Sequence, residues 1–161
     1  MRARSAGDTS GLAWTHRGSS NRFGVQFADV FYAIAPTART TTVTATFGGG
    51  CSSREINVVG FSGVNSSVPY DTNGSLPGIV GVGGGGAAEV VISTTNAQTL
   101  IYAWGASAPT PGPGWTALQN QTSSFFLTQY KLFSAAQTSL TLSQGDTVAN
   151  IENGIGDAVK P

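Results

Sequence analysis

Thr42-Val43-Thr44-Ala45-Thr46-Phe47 alternates polar and apolar residues without a break. A β-strand sends successive side chains to opposite faces, so this stretch predicts a half-buried strand with its threonines in water. β-Branched Thr and Val also suit a pleated surface. The same period of two recurs on both sides. Upstream, Phe23, Val25 and Phe27 alternate with Gly24, Gln26 and Ala28, and the apolar set then moves to Val30, Tyr32 and Ile34. A β-bulge near Ala28-Asp29 would produce that shift. Downstream, Ile56-Asn57-Val58-Val59-Gly60-Phe61 and Leu100-Ile101-Tyr102-Ala103-Trp104 are more continuous apolar runs. They read as central strands covered on both faces. Further strands are predicted over residues 89–93, 115–118, 125–133 and 139–142.

The breaks between these runs carry turn chemistry. They include Gly18-Ser19-Ser20-Asn21, Gly48-Gly49-Gly50, Asn73-Gly74, Asn96, residues 109–114 and Gln144-Gly145-Asp146. Such spacing predicts an all-β fold: an antiparallel β-sandwich, jelly-roll or immunoglobulin-like, of about eight to ten strands. Near the C-terminus, Val148, Ile151, Ile155 and Val159 have helical spacing, but Gly154 and Gly156 interrupt it. The expectation there is a strand over residues 147–151. Residues 1–161 are read as one domain, with loose tails at 1–7 and 156–161.

Composition narrows the function classes. The chain has 161 residues, charged residues at 10%, eight basic against eight acidic side chains, and 22 glycines. A nucleic-acid binder needs a basic excess to neutralise phosphates, and a net charge of zero excludes that class. No apolar run of about 18 residues is present, so no transmembrane helix is expected. Residues 5–11 are polar where the apolar core of a signal peptide would follow Met1-Arg2-Ala3-Arg4. Cys51, the one cysteine, sits in a predicted turn and is read as an incidental thiol.

Candidate chemistry is sparse. Gly81-Val82-Gly83-Gly84-Gly85-Gly86 matches a phosphate-binding glycine pattern but is followed by a predicted strand, not a helix. It reads as a loop. Ser62 and the lone histidine, His16, could join a carboxylate in a nucleophilic triad only if folding brings them together. The carboxylates are scattered one per element, as solvated strand ends would place them. Asp71, Asn73 and Asp146 are weak calcium candidates, being oxygen donors in turns. No cofactor is expected. Trp14, Tyr70 and Trp115 border turns and are the candidates for stacking on a sugar ring. Asn65-Ser66-Ser67, Asn73-Gly74-Ser75 and Asn120-Gln121-Thr122 match the glycosylation acceptor and are read as loop markers.

Three blocks stand in a characteristic order. They are Asp8-Thr-Ser-Gly-Leu-Ala-Trp14-Thr; Ile56-Asn-Val-Val-Gly-Phe61-Ser-Gly-Val64, continuing to Asp71; and Gly112-Pro-Gly-Trp115-Thr. In that order they resemble a jelly-roll-like β-sandwich module of large bacterial secreted and surface proteins and of phage or metagenomic sequences. The likeness covers roughly residues 8–151. It implies a chain that starts a few strands late, with neighbouring domains and exposed sheet edges prone to self-association. It supplies no catalytic residue. The resulting expectation is a non-catalytic structural or adhesive module, secreted, on the cell surface or in a virion. Weak binding of polysaccharide or cell-surface glycan is expected with it. The competing expectations are a small hydrolase using Ser62 or a carboxylate pair, and a phage capsid-decoration or tail module.

Overall fold

The computed structural model describes residues 3–22, 26–49, 54–81, 90–97, 99–106, 110–121, 126–142 and 153–161. Among these residues there are eleven strands and no α-helix. They are β1 (Ala3–Asp8), β2 (Thr15–Arg22), β3 (Gln26–Tyr32), β4 (Val43–Phe47), β5 (Gly78–Gly81) and β6 (Val90–Ile92). Then come β7 (Thr99–Ala106), β8 (Thr116–Gln121), β9 (Phe126–Phe133), β10 (Leu140–Leu142) and β11 (Asn153–Val159). Every ladder is antiparallel. The expected all-β, antiparallel, sandwich-like architecture is therefore the observed one, built from four packed sheets. No described helix is long and apolar enough to cross a membrane.

The centre is a five-stranded sheet in the order β5-β11-β7-β9-β8. Its two faces are covered by different partners. On one face Ile101 and Ala158 meet Val90, Ile92 and Leu142 of the β6–β10 ribbon, forming the apolar core. Trp115, Phe133, Leu76, Val80 and Leu140 pack against its margin. On the other face lies the β2–β3 hairpin, held by Arg17 of β2 on Asp157 of β11. The β1–β4 pair joins this side through the Ala3 N–H, which donates to Asp29 of β3 at 2.8 Å.

A strand covered on both faces cannot show a half-buried alternation. Strand β11, Asn-Gly-Ile-Gly-Asp-Ala-Val, is buried at all seven positions. Gly156 within it is demanded by the ribbon. A Cβ at Gly156 would collide with a Leu142 methyl and press on Val90, and one at Gly78 of β5 would collide with Ile92. At Gly81 a Cβ would strike the backbone of Asn21 in β2. These are the close backbone approaches that glycine marks inside strands.

Several expectations are corrected here. Residues 1–7 and 156–161 are not loose tails where described: Ala3–Asp8 pairs with β4, and the second segment lies within β11 and just after it. Gly156 there is a packing site, not a helix breaker. Residues 56–61 form no ladder, although their burial alternates like a strand's. Ile56 and Val58 stay exposed there, so this continuous apolar run did not mark a central strand. Gly18-Ser19-Ser20-Asn21 lies within β2 rather than in a turn, because hairpin pairing to β3 satisfies its backbone. The register shift belongs to β2, between His16 and Gly18, and β3 runs through Ala28-Asp29 unbroken. Asn120 lies on β8, not in a loop. The strand expected over residues 147–151, the turn at Cys51 and the glycine loop after Gly81 lie outside the described residues.

The glycine packing gives a first prediction. Gly156→Ala should destabilise the fold by about 1–3 kcal/mol through overpacking. Gly7→Ala, where a Cβ meets nothing within 4 Å, should change stability far less. Urea unfolding of the two variants measures the contrast.

Candidate functional site

The β-bulge at His16/Gly18 decides what reaches the interior. It turns both Arg17 and Gly18 toward the five-stranded sheet: Gly18 backs onto Pro77 and Ile79, and Arg17 onto Asp157. Bulges re-aim side chains in this way. Arg17 donates Nε–H to Asp157 Oδ2 at 2.7 Å and Nη2–H to Oδ1 at 3.0 Å. The Asp157 side chain is fully buried, and that of Arg17 is 21% exposed. Burial pushes the Asp157 carboxyl up, against the opposing pull of the Arg17 guanidinium. The Ala158 N–H donates to Asp157 Oδ1 at 2.9 Å, and the buried Tyr102 hydroxyl reaches Oδ2 at 3.5 Å.

Above this pair lies a shallow groove of about 480 Å³. Arg17, Tyr32, Tyr70, Asp71, Asn73 and Leu76 line it, with residues 67–69, 72 and 74 at its rim. The Arg17 guanidinium carbon stands 4.2 Å from the Tyr70 ring centroid, a cation–π stack. Tyr32 meets Tyr70 at 4.9 Å with ring planes 78° apart. Tyr70 also bridges Val159 of β11, so its backbone is pinned to the central sheet. Burial pushes the Tyr70 phenol up to about 12, so it is neutral at physiological pH.

Asp71 is the second anchor. Its carboxylate accepts from the Asn73 N–H at 2.9 Å, the Thr95 N–H at 2.9 Å and the Thr95 hydroxyl at 2.8 Å. It accepts as well from the Asn96 N–H at 2.8 Å and the Asn96 side-chain amide at 2.6 Å. Burial alone would raise its pKa, but these donors hold it down to about 2. Asp71 thus clamps its own loop to the loop after β6. Its oxygens are filled by N–H and O–H donors, and Asn73 Oδ1 accepts the Ser75 N–H at 3.0 Å, so both calcium candidates make turn hydrogen bonds. Asp146 lies outside the described residues. No group of three or more metal-ligating side chains forms among the described residues.

Of the three stacking candidates, the structure brings only Tyr70 to the groove. The Trp14 indole N–H donates to Asp8 Oδ2 at 2.6 Å, beneath a loop in which Gly11 takes φ 74°. Asp8 also accepts from the Ser10 side chain and N–H, from Leu12 N–H and from the Thr41 hydroxyl. The Asp-x-x-Gly-x-x-Trp block is therefore a self-capped loop. Trp115 packs edge-on to Phe133 at 6.3 Å against the core margin. Ser62 lies in an exposed bend. His16 instead meets Ser19 Oγ at 2.9 Å and Asp29 Oδ1 at 3.4 Å, both through Nε2. In a relay the imidazole stands between serine and carboxylate, one nitrogen to each. Here Ser19 donates directly to Asp29. Sequence reasoning missed Arg17 and Asp157, which lie 140 positions apart. Tyr32 is one of the wider set of aromatics that could stack on a sugar, but it reads with the apolar set of its strand and not with the turn-bordering three.

Two predictions follow from the anchors. Arg17→Met leaves a carboxylate buried without its partner and should cost about 3–5 kcal/mol, read from the urea midpoint. Asp71 has a folded pKa below its unfolded value, so its stabilisation is present above about pH 4. It fades as pH falls toward 2, and Asp71→Asn should remove about 2 kcal/mol of acid-dependent stability.

With this geometry in place, comparison with protein-family models, with curated proteins and with solved structures finds no match for the chain. The described strands make an all-β domain of packed antiparallel sheets.

Proposed function

We propose that this chain is a non-catalytic structural or adhesive β-sandwich module of a secreted, cell-surface or virion protein, and that the groove beside Tyr70 takes a neutral carbohydrate segment weakly. The observation that carries this reading is how the charges at the groove are spent. Arg17 is neutralised by Asp157, and the Asp71 carboxylate is filled by five donor groups. What remains for a ligand is a rigid surface of phenols, amides and hydroxyls with an apolar edge at Val68, which is 46% exposed. That is the chemistry of a neutral sugar, whose hydroxyls need donors and acceptors and whose C–H faces need apolar contact. An acidic sugar would find no free cation and would meet Asp71. The groove's size is within the usual range for small-molecule sites, about 300–1,000 Å³.

A panel of neutral and acidic polysaccharides, screened by array and followed by isothermal titration, tests the main proposal. A neutral glycan should bind with a Kd near 1 mM, about −4 kcal/mol. Thr72→Arg, at an exposed rim position, should abolish the heat of binding without lowering the unfolding midpoint. Silence across the panel, or binding indifferent to Thr72→Arg, would remove carbohydrate from the proposal.

A further inference from the structure

The chain contains two Asn-Gly pairs in its described residues, Asn73-Gly74 and Asn153-Gly154, and they sit in opposite surroundings. Asn153 is 1% exposed and locked in β11, between β5 and β7. Asn73-Gly74 lies in the turn at the groove rim, with Gly74 exposed and open space where a Cβ would stand. We infer that Asn73 is a self-modification site, at which the backbone nitrogen of Gly74 attacks the side-chain amide and converts Asn73 to aspartate and isoaspartate.

Two features of the loop favour the reaction. Gly74 carries no side chain to shield its nitrogen. The Ser75 N–H donates to Asn73 Oδ1 at 3.0 Å, so the carbonyl under attack is already polarised and its developing negative charge has a donor waiting. In Asn153 the same dipeptide has its backbone engaged in two ladders, and its nitrogen cannot turn onto the side chain.

The atoms balance with one water in and one ammonia out. A bond forms between Gly74 N and Asn73 Cγ. The bond from Cγ to Nδ2 breaks, and Nδ2 leaves as ammonia with the proton from Gly74. Water then opens the five-membered imide at either carbonyl. Opening at Cγ gives aspartate, and opening at the main-chain carbonyl carbon gives isoaspartate. Either product adds a carboxylate at the groove rim beside Asp71. The isoaspartate also reroutes the chain through Cγ, and the main-chain carbonyl that accepts the Leu76 N–H at 3.1 Å is replaced by a free carboxylate. Either product loop is more acidic, and the isoaspartate loop loses this turn hydrogen bond.

The test is incubation of the folded chain in warm, mildly alkaline buffer, followed by peptide mass mapping and enzymatic labelling of isoaspartate. The expected result is conversion at Asn73 with Asn153 intact. Asn153 should convert only when the chain is unfolded in urea. Gly74→Ala should slow conversion at Asn73 at least about tenfold, a barrier rise of about 1.4 kcal/mol. Asn73→Ser, which keeps a hydroxyl acceptor for the turn, should lower ammonia release by one equivalent per chain. An unmodified Asn73 in the folded chain, or equal conversion at Asn153, would overturn the assignment. So would a rate unaffected by Gly74→Ala.

Discussion

The structure depends on burying one ionised carboxylate in the middle of a sheet that is covered on both faces. Taking such a charge out of water costs several kcal/mol unless it is paired and its remaining lone pairs are filled. Asp157 meets that condition through a bidentate Arg17 and a backbone N–H. The condition sets much else. Arg17 reaches the sheet because β2 carries a bulge, and the bulge also turns Gly18 onto Pro77 and Ile79. The guanidinium then offers a flat cationic face, and Tyr70 occupies it. The groove is thus the outer surface of the same arrangement that holds the hairpin to the sheet.

The opposite face follows a different rule, that of close approach. The β6–β10 ribbon supplies Val90, Ile92 and Leu142, and the central sheet answers with Gly78, Gly156 and Ala158. Large side chains on one layer against small ones on the other keep the core dense. Charged residues make up 10% of the chain, and the ion pairs among the described residues are His16–Asp29 and Arg17–Asp157. Its carboxylates also go to fixing loops. Asp8 caps the loop that carries Trp14, Asp29 ties β1 to the hairpin, and Asp71 joins two loops at the groove.

What could be read in the sequence follows from these two rules. β4 and β6 to β10 were legible because each shows period-two patterning or a compact apolar run bounded by turn residues. β11 was not, because burial on both faces erases alternation and the ribbon required glycine where a strand pattern expects a β-branched residue. β2 reads as a turn because Gly18-Ser19-Ser20-Asn21 is polar and small, and only pairing with β3 makes it a strand. Residues 56–61 fail in the reverse sense: the apolar run is there, but no neighbour supplies a ladder. At the site, Tyr70 was legible from its turn-bordering position. The Asp71 clamp was half legible, since the turn preference of the residue is local while Thr95 and Asn96 lie 24 and 25 positions away. Arg17 and Asp157 gave no signal, because nothing local links two charges so far apart in sequence.

The place of β11 in the central sheet has a kinetic consequence. It lies between β5 and β7, yet it is synthesised well after both. Until it emerges, β5 and β7 share no neighbour, Asp157 is absent, and the hairpin can rest only on β5 and Pro77. The upstream strands must wait as two unjoined halves, exposing ladder edges and the apolar faces that β11 will bury. Long-range strand pairing of this kind slows folding and prolongs the interval in which edges can pair wrongly. Insertion of one late strand is therefore the step that converts a set of hairpins into a single cooperative sheet.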